Sequence, residues 1–191
     1  MLVNELLDKI ETKQTPIYLH DILKDGKDHC YSRTATSAEL SVLRNKPAKE
    51  GEDEELGAHL TNVDLQQIYD SYFAKNSVAV EEICTFLKDT FHISEEKISN
   101  AFVLFTILHE IGHWQHLIQS GLSRMDYWKK YEAMRDDLWI QFQFTYNLLC
   151  RTDDQRNMAF KCFNEKYRNL PSEKFADEYA ITELPLYLSF I

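Results

Sequence analysis

Two histidines stand four residues apart, with a glutamate beside the first, in the segment His109-Glu110-Ile111-Gly112-His113. On a helix, residues at this spacing share one face, so both imidazoles can reach a single ion. Glu110 points about a quarter-turn away, where it can take a proton from a water and pass it to a leaving amine. The chemistry these types at this spacing can do is metal-assisted hydrolysis, with zinc the ion such a donor set suits. The preceding run from Phe102 to Leu108 is apolar with helical spacing, which predicts a buried site. Burying two histidines and a glutamate is costly unless a metal or hydrogen bonds compensate. The plainer alternative is a pair of core histidines satisfied by hydrogen bonds, with Glu110 on a solvent edge. Gly112 costs a helix interior about 1 kcal/mol relative to alanine. A close neighbour behind the site would account for it.

A zinc site needs a third protein ligand. His116 is nearest in sequence, but it sits a further turn along, and a straight helix cannot easily converge three such side chains on one tetrahedral centre. The extended pattern HExxHxxGxxH is not met either, since His116 stands in the glycine place and Gln119 in that of the last histidine. A stronger candidate lies in Pro171-Ser-Glu-Lys-Phe-Ala-Asp-Glu-Tyr-Ala180, where Glu173 and Asp177 occupy adjacent turns of one helical face. Glu173 could sit on the metal while Asp177 accepts a hydrogen bond from an imidazole N–H. Ala176 and Ala180 would keep that helix slim where it approaches the metal helix. Glu-x-x-x-Asp alone is common on solvated faces; only the HExxH segment promotes it.

With both segments in hand, the chain resembles the gluzincin group of zinc metallopeptidases, and within it the ImmA/IrrE family of phage and mobile-element peptidases. Phe105-Thr-Ile-Leu-His-Glu-Ile-Gly-His113 is similar to the family's metal helix, and Glu173-Lys-Phe-Ala-Asp-Glu-Tyr-Ala180 to the helix that brings the acidic ligand. The resemblance implies Zn2+ bound by His109, His113 and Glu173, with Glu110 as the base and Asp177 orienting a histidine. It implies a zincin-like fold and an endopeptidase acting on a protein partner, such as a transcriptional repressor or other regulator. The interval between the two segments is longer than the family leads one to expect. No strand is evident directly before the metal helix, so a substrate-aligning edge is expected from within residues 29–63. Tyr167, Tyr179, Tyr187 and His59 are all open candidates for stabilising the transition state. A reading of another class is a non-catalytic, zinc-containing binding or regulatory protein of phage or mobile-element origin, against which an intact Glu110 speaks. A DNA-binding regulator would need a basic recognition helix, and residues 78–100 contain none.

The elements that must position these residues are mostly helical. Apolar spacing predicts helices over 3–13, 64–74, 78–91, 94–120, 123–150, 152–167 and 172–184. Strand candidates fall at 30–34, 39–43 and 58–63, while 17–23 is apolar but too short to classify. The expected architecture is α+β, mainly α, in one domain over 1–191. Residues 1–63 would hold short strands and an acidic loop, and 64–191 the helical part with the metal site. Hydrophobic residues at 44% and aromatics at 13%, with few glycines and prolines, fit a globular domain rather than a repeat or fibre.

A net charge of −10 leaves no basic stripe for phosphates, so no direct nucleic-acid partner is expected. Lys129, Lys130 and Arg135 read as a solvated helix face, and the acidic run 50–55 as a solvated loop that could steer a basic partner. Cys30, Cys84, Cys150 and Cys162 are scattered and read as reduced core thiols. The N-terminus mixes acids into its apolar positions and does not read as a signal peptide. Polar residues interrupt the apolar stretch 101–118, which reads as a buried helix, so no membrane span and a cytoplasmic location are expected.

Overall fold

The computed structural model describes residues 1–20, 38–40 and 57–191. The strand expected at 30–34, the acidic run 50–55 and Cys30 lie outside them. Strands β1 (Ile17–His20), β2 (Ala38–Leu40) and β3 (Ala58–Thr61) form a sheet of order β1-β3-β2. The central β3 runs parallel to β1, with Ile17 opposite Ala58, and antiparallel to β2, with Glu39 opposite His59. All four β3 residues are buried, as suits a central strand covered on both faces. The short apolar run beginning at Ile17 is therefore a strand.

Helix α1 (Val3–Leu7) docks beside the end of β3 by donating the Val3 N–H to the Val63 carbonyl at 3.0 Å. It is shorter than its amphipathic pattern suggests, because the chain then turns through Lys13 and Gln14 at positive φ. The next two predicted helices run on as α2 (Leu65–Phe91), broken at Asn76, whose backbone is extended. Asp64 caps the first half by accepting from the Gln66 N–H, and Asn76 caps the second by accepting from the Ala79 N–H. Helical periodicity on either side of Asn76 and the cap residue itself explain why the sequence reads as two helices.

Helix α3 (Ile98–Ser120) carries the HExxH segment and follows a 3-10 turn at Glu95–Lys97. It ends at Gly121, which adopts φ 62 and donates its N–H to the Ile118 carbonyl. Its middle is buried nearly all round: Phe102, Leu104, Ile107, Leu108 and Ile111 join Leu6, Leu60, Leu65, Ile68 and Leu87 in one core. A helix wrapped on all sides needs no amphipathic stripe, which is why 101–113 is so apolar.

Ser123 caps a long helical run, α4, made of Arg124–Tyr127, a π turn at Trp128–Glu132, Ala133–Phe144 and a second π turn at Thr145–Leu149. The Thr152–Gln155 capping box opens α5 (Asp153–Arg168). Helix α6 (Pro171–Glu183) begins with proline in its first turn, where the missing N–H leaves no bond unmade. Rings of α4 and α5 interlock, Phe142 on Phe163 at 4.6 Å and Trp139 on Phe163 at 5.5 Å. Helix α3 lies against α6 and α2, with β2 and β3 also beside it. The architecture is thus mainly helical with a small N-terminal sheet. Cys84 and Cys150 are buried free thiols, but Cys162 is exposed, since α5 buries none of its residues fully. Among the described residues, no helix is long and apolar enough to cross a membrane.

Candidate metal centre

Two helices meet at the site. Helix α3 presents His109 and His113 one turn apart, their rings 4.6 Å between centroids and nearly perpendicular. Helix α6 presents Glu173 from its first turn. Its Oε2 lies 3.3 Å from His109 Nε2 and 3.6 Å from His113 Nε2. One donor atom from each of the three residues lies within 4.8 Å of the other two. Such a spread lets a single ion sit among them, and His2Glu is a donor set zinc takes while keeping a position open.

Burial sharpens the case. Glu173 is 1% exposed, and neither of its carboxylate oxygens accepts a hydrogen bond. A buried carboxylate in that condition costs several kcal/mol unless positive charge offsets it. The residues present therefore fit a bound divalent cation. Burial alone would push the Glu173 carboxyl up, but His113 and His109 hold it well below the usual range. Burial would likewise push His109 down. The hydrogen bond to Asp177, with the nearby carboxylates of Glu173 and Glu110, outweighs this and raises it to about 9.

Asp177 lies one turn after Glu173, and its Oδ1 accepts from His109 Nδ1 at 2.8 Å. That bond assigns the Nδ1 proton and leaves Nε2 facing Glu173 as a donor for metal. The same Oδ1 is ion-paired with Arg168, in the last turn of α5. Sequence reasoning missed Arg168, since a basic residue closing a helix is commonplace and carries no mark of a distant partner.

The helices come this close because of Gly112. A Cβ built there would lie 2.9 Å from Ala176 Cα and 3.0 Å from the Ala176 carbonyl oxygen. Real carbon contacts are seldom so short. Ala176 and Ala180 are fully buried on the facing side. Gly112 and Ala176 thus let backbone meet backbone directly behind His109, His113 and Glu173.

His116 is directed elsewhere. Its Nδ1 is 2.6 Å from the Tyr127 hydroxyl, and its ring stacks on Phe175 at 4.6 Å. It belongs to an aromatic cluster with Tyr127 and Tyr131, not to the donor group.

Beside the donors opens a cleft of about 880 Å³, to which His109, Glu110 and Glu173 contribute together with residues of α2, α4 and α5. Glu110 is 3% exposed and lines this cleft together with His109 and Glu173. Of the four side chains open for transition-state stabilisation, Tyr167 lines the cleft. Tyr187 accepts from the Glu11 N–H, and His59 stacks on Tyr18 in the sheet with its Nδ1 2.7 Å from His20 Nε2. Tyr179 packs behind Gly112, where burial raises its hydroxyl above the ordinary range. Comparison with known proteins adds no relative: no protein-family model, curated protein or solved structure matches this chain.

Proposed function

We propose that the chain is a zinc-dependent endopeptidase of gluzincin type, akin to the ImmA/IrrE family, cleaving a protein partner such as a repressor or another regulator. The observation that carries this reading is the convergence of His109, His113 and Glu173, with Glu110 beside them at a cleft. Zinc held by those three residues would supply a Lewis acid and lower the pKa of water in its open position. Glu110 lines the same cleft as His109 and Glu173, where such a water would stand. As a general base it would take the proton of the attacking water, and as an acid it would return it to the leaving amine. Asp177 keeps His109 in the tautomer and orientation that binding requires, and Arg168 keeps Asp177 in place.

The alternative, a zinc-containing binding or regulatory protein without catalysis, requires the same ligands but has no use for a buried carboxylate facing the cleft. Glu110→Gln separates the two. The variant should retain zinc and fold while peptide cleavage falls by about 10²–10⁴-fold, the usual contribution of a general acid–base. Equal cleavage, or equal biological activity, in the two proteins would refute the peptidase reading.

A further inference from the structure

Helix α4 is apolar on two opposite faces. Its inner face packs on α5: Phe142 is 8% exposed against Phe160 and Phe163, and Tyr146 adjoins Phe142. The outer face, half a turn away, carries Ile140, Phe144 and Leu148, spaced four residues apart along one ridge. They are 65%, 58% and 52% exposed. The π turn at Thr145–Leu149 bonds over five residues instead of four, so Leu149, also exposed, returns beneath Phe144 as well. A helix at the surface ordinarily turns polar residues outward. Helix α5 does so, with Asp154, Lys161 and Glu165 exposed around a single Met158. Helix α4, its neighbour in the same pair, does not.

Two properties of the ridge bear on what covers it. The first is size. At these exposures the four apolar side chains offer roughly 500 Å², and the exposed Asp137, Gln141, Asn147 and Arg151 at their edge bring the surface to about the 800 Å² per partner of an ordinary protein interface. The second is the order of residues along it. With Phe144 as the centre, Ile140 and Leu148 lie four residues to either side, and Asp137 and Arg151 seven residues to either side. Seven residues make close to two helical turns, so Asp137 shares the ridge, and Arg151 follows the end of the helix on a long side chain. Turned end for end, the ridge therefore meets itself in kind. Phe144 faces Phe144, Ile140 faces Leu148, and Asp137 faces Arg151. A parallel pairing would instead set Asp137 against Asp137. A lipid surface is a poorer match, because helices that lie on membranes carry lysine and arginine beside their apolar face. Here Asp136 and Asp137 precede the ridge, and Asp153 and Asp154 follow it.

We propose that the outer face of α4 is the interface of a homodimer, two copies of this chain paired antiparallel about a two-fold axis at Phe144. A two-fold interface sets each patch against an identical one, so it requires end-for-end complementarity of residue type. The apolar centre drives association by leaving water, and the two Asp137–Arg151 pairs at its ends select the register. Trp139, which packs on Phe163 from the same helix, lines the cleft that His109 and Glu110 share, so pairing braces one wall of that cleft. The interface does not depend on the reaction carried out there.

The test is sedimentation velocity of the full chain between about 1 and 200 μM, a range that brackets the weaker interfaces of this size. The expected result is a monomer–dimer equilibrium that shifts toward dimer as concentration rises. Phe144→Glu brings two carboxylates together at the axis and should weaken association by roughly a hundredfold or more, with helicity by circular dichroism unchanged. Ile140→Lys, which sets a charge against Leu148, should act likewise and serves if Phe144→Glu fails to fold. Asp137→Arg and Arg151→Asp should each weaken the dimer by about three- to tenfold, and the double variant, with the charges exchanged, should restore it. That rescue belongs to the antiparallel register. A chain that stays monomeric throughout overturns the proposal, whether or not it floats with phosphatidylserine vesicles. A dimer that Phe144→Glu and Ile140→Lys leave intact places the interface on another surface and refutes it too. A dimer that those variants break, but that the exchanged charges do not restore, refutes the antiparallel pairing about Phe144.

Discussion

Gly112→Ala tests whether backbone contact between α3 and α6 sets the metal site. The added methyl would stand 2.9 Å from Ala176 Cα, 3.0 Å from the Ala176 carbonyl oxygen and 3.1 Å from Tyr179 Cβ. Carbon atoms are comfortable at about 3.5–4.0 Å, so the helices must part by roughly 0.5–1 Å. Overpacking of this kind costs about 1–3 kcal/mol, while replacing a helical glycine by alanine returns about 1 kcal/mol. The metal-free protein should therefore lose on the order of 0–2 kcal/mol, a modest change. The larger effect is expected on the affinity for zinc, the metal proposed for this site. Glu173 is on the same helix as Ala176, one turn earlier, and ligand distances tolerate only about 0.2 Å. A shift of half an ångström should weaken zinc binding at least tenfold. Urea denaturation of the metal-free protein gives the first quantity, and competition against a chromophoric chelator the second. Adding Ala176→Gly should not rescue the variant, because two of the three close atoms are backbone. Gly121→Ala serves as a control: its φ is 62 with nothing within 4 Å, so it should cost about 1 kcal/mol and leave zinc affinity unchanged. If Gly112→Ala binds zinc as tightly as the wild type, the close approach is not what positions Glu173.

Glu173→Gln should lower zinc affinity by more than the 10–100-fold typical of a supporting residue, as seen in chelator competition; unchanged affinity would remove it from the ligand set. Asp177→Asn should fall within that 10–100-fold range with the fold intact by circular dichroism, whereas no loss would mean that Asp177 does not hold His109. The metal-free protein should also depend on pH. His109 titrates near 9 instead of 6.5, so its contribution, about 3 kcal/mol, is complete below pH 6.5 and lost as pH rises through 9. Glu173 acts in the opposite sense. Its carboxyl is depressed, so its contribution is complete above the ordinary 4.5 and lost as pH falls through its lower value. The two share one attraction, counted once. Urea midpoints of chelator-treated protein at pH 6.5, 8 and 9.5 should fall along that series, and a flat profile would contradict the placement of His109.

Helical periodicity and spacing alone place His109, Glu110 and His113 on one buried helix, because those relations are local and a 3.6-residue repeat dictates them. The same periodicity locates most helices and the break near Asn76, and Gly112 is legible as a sign of close approach. Periodicity does not show the two π turns of α4, where one extra residue per turn slips past any fixed repeat. Nor does it settle β1, whose four residues became a strand only by pairing with β3 across a long stretch of chain. Glu173 and Asp177 could be nominated from sequence. Their meeting with His109 depends on how two helices about sixty residues apart pack, and that is set by the fit of Gly112 against Ala176. Arg168 and the cleft were beyond the sequence for the same reason. Each is a relation between elements, fixed by which surfaces bury one another, and linear spacing carries no record of it.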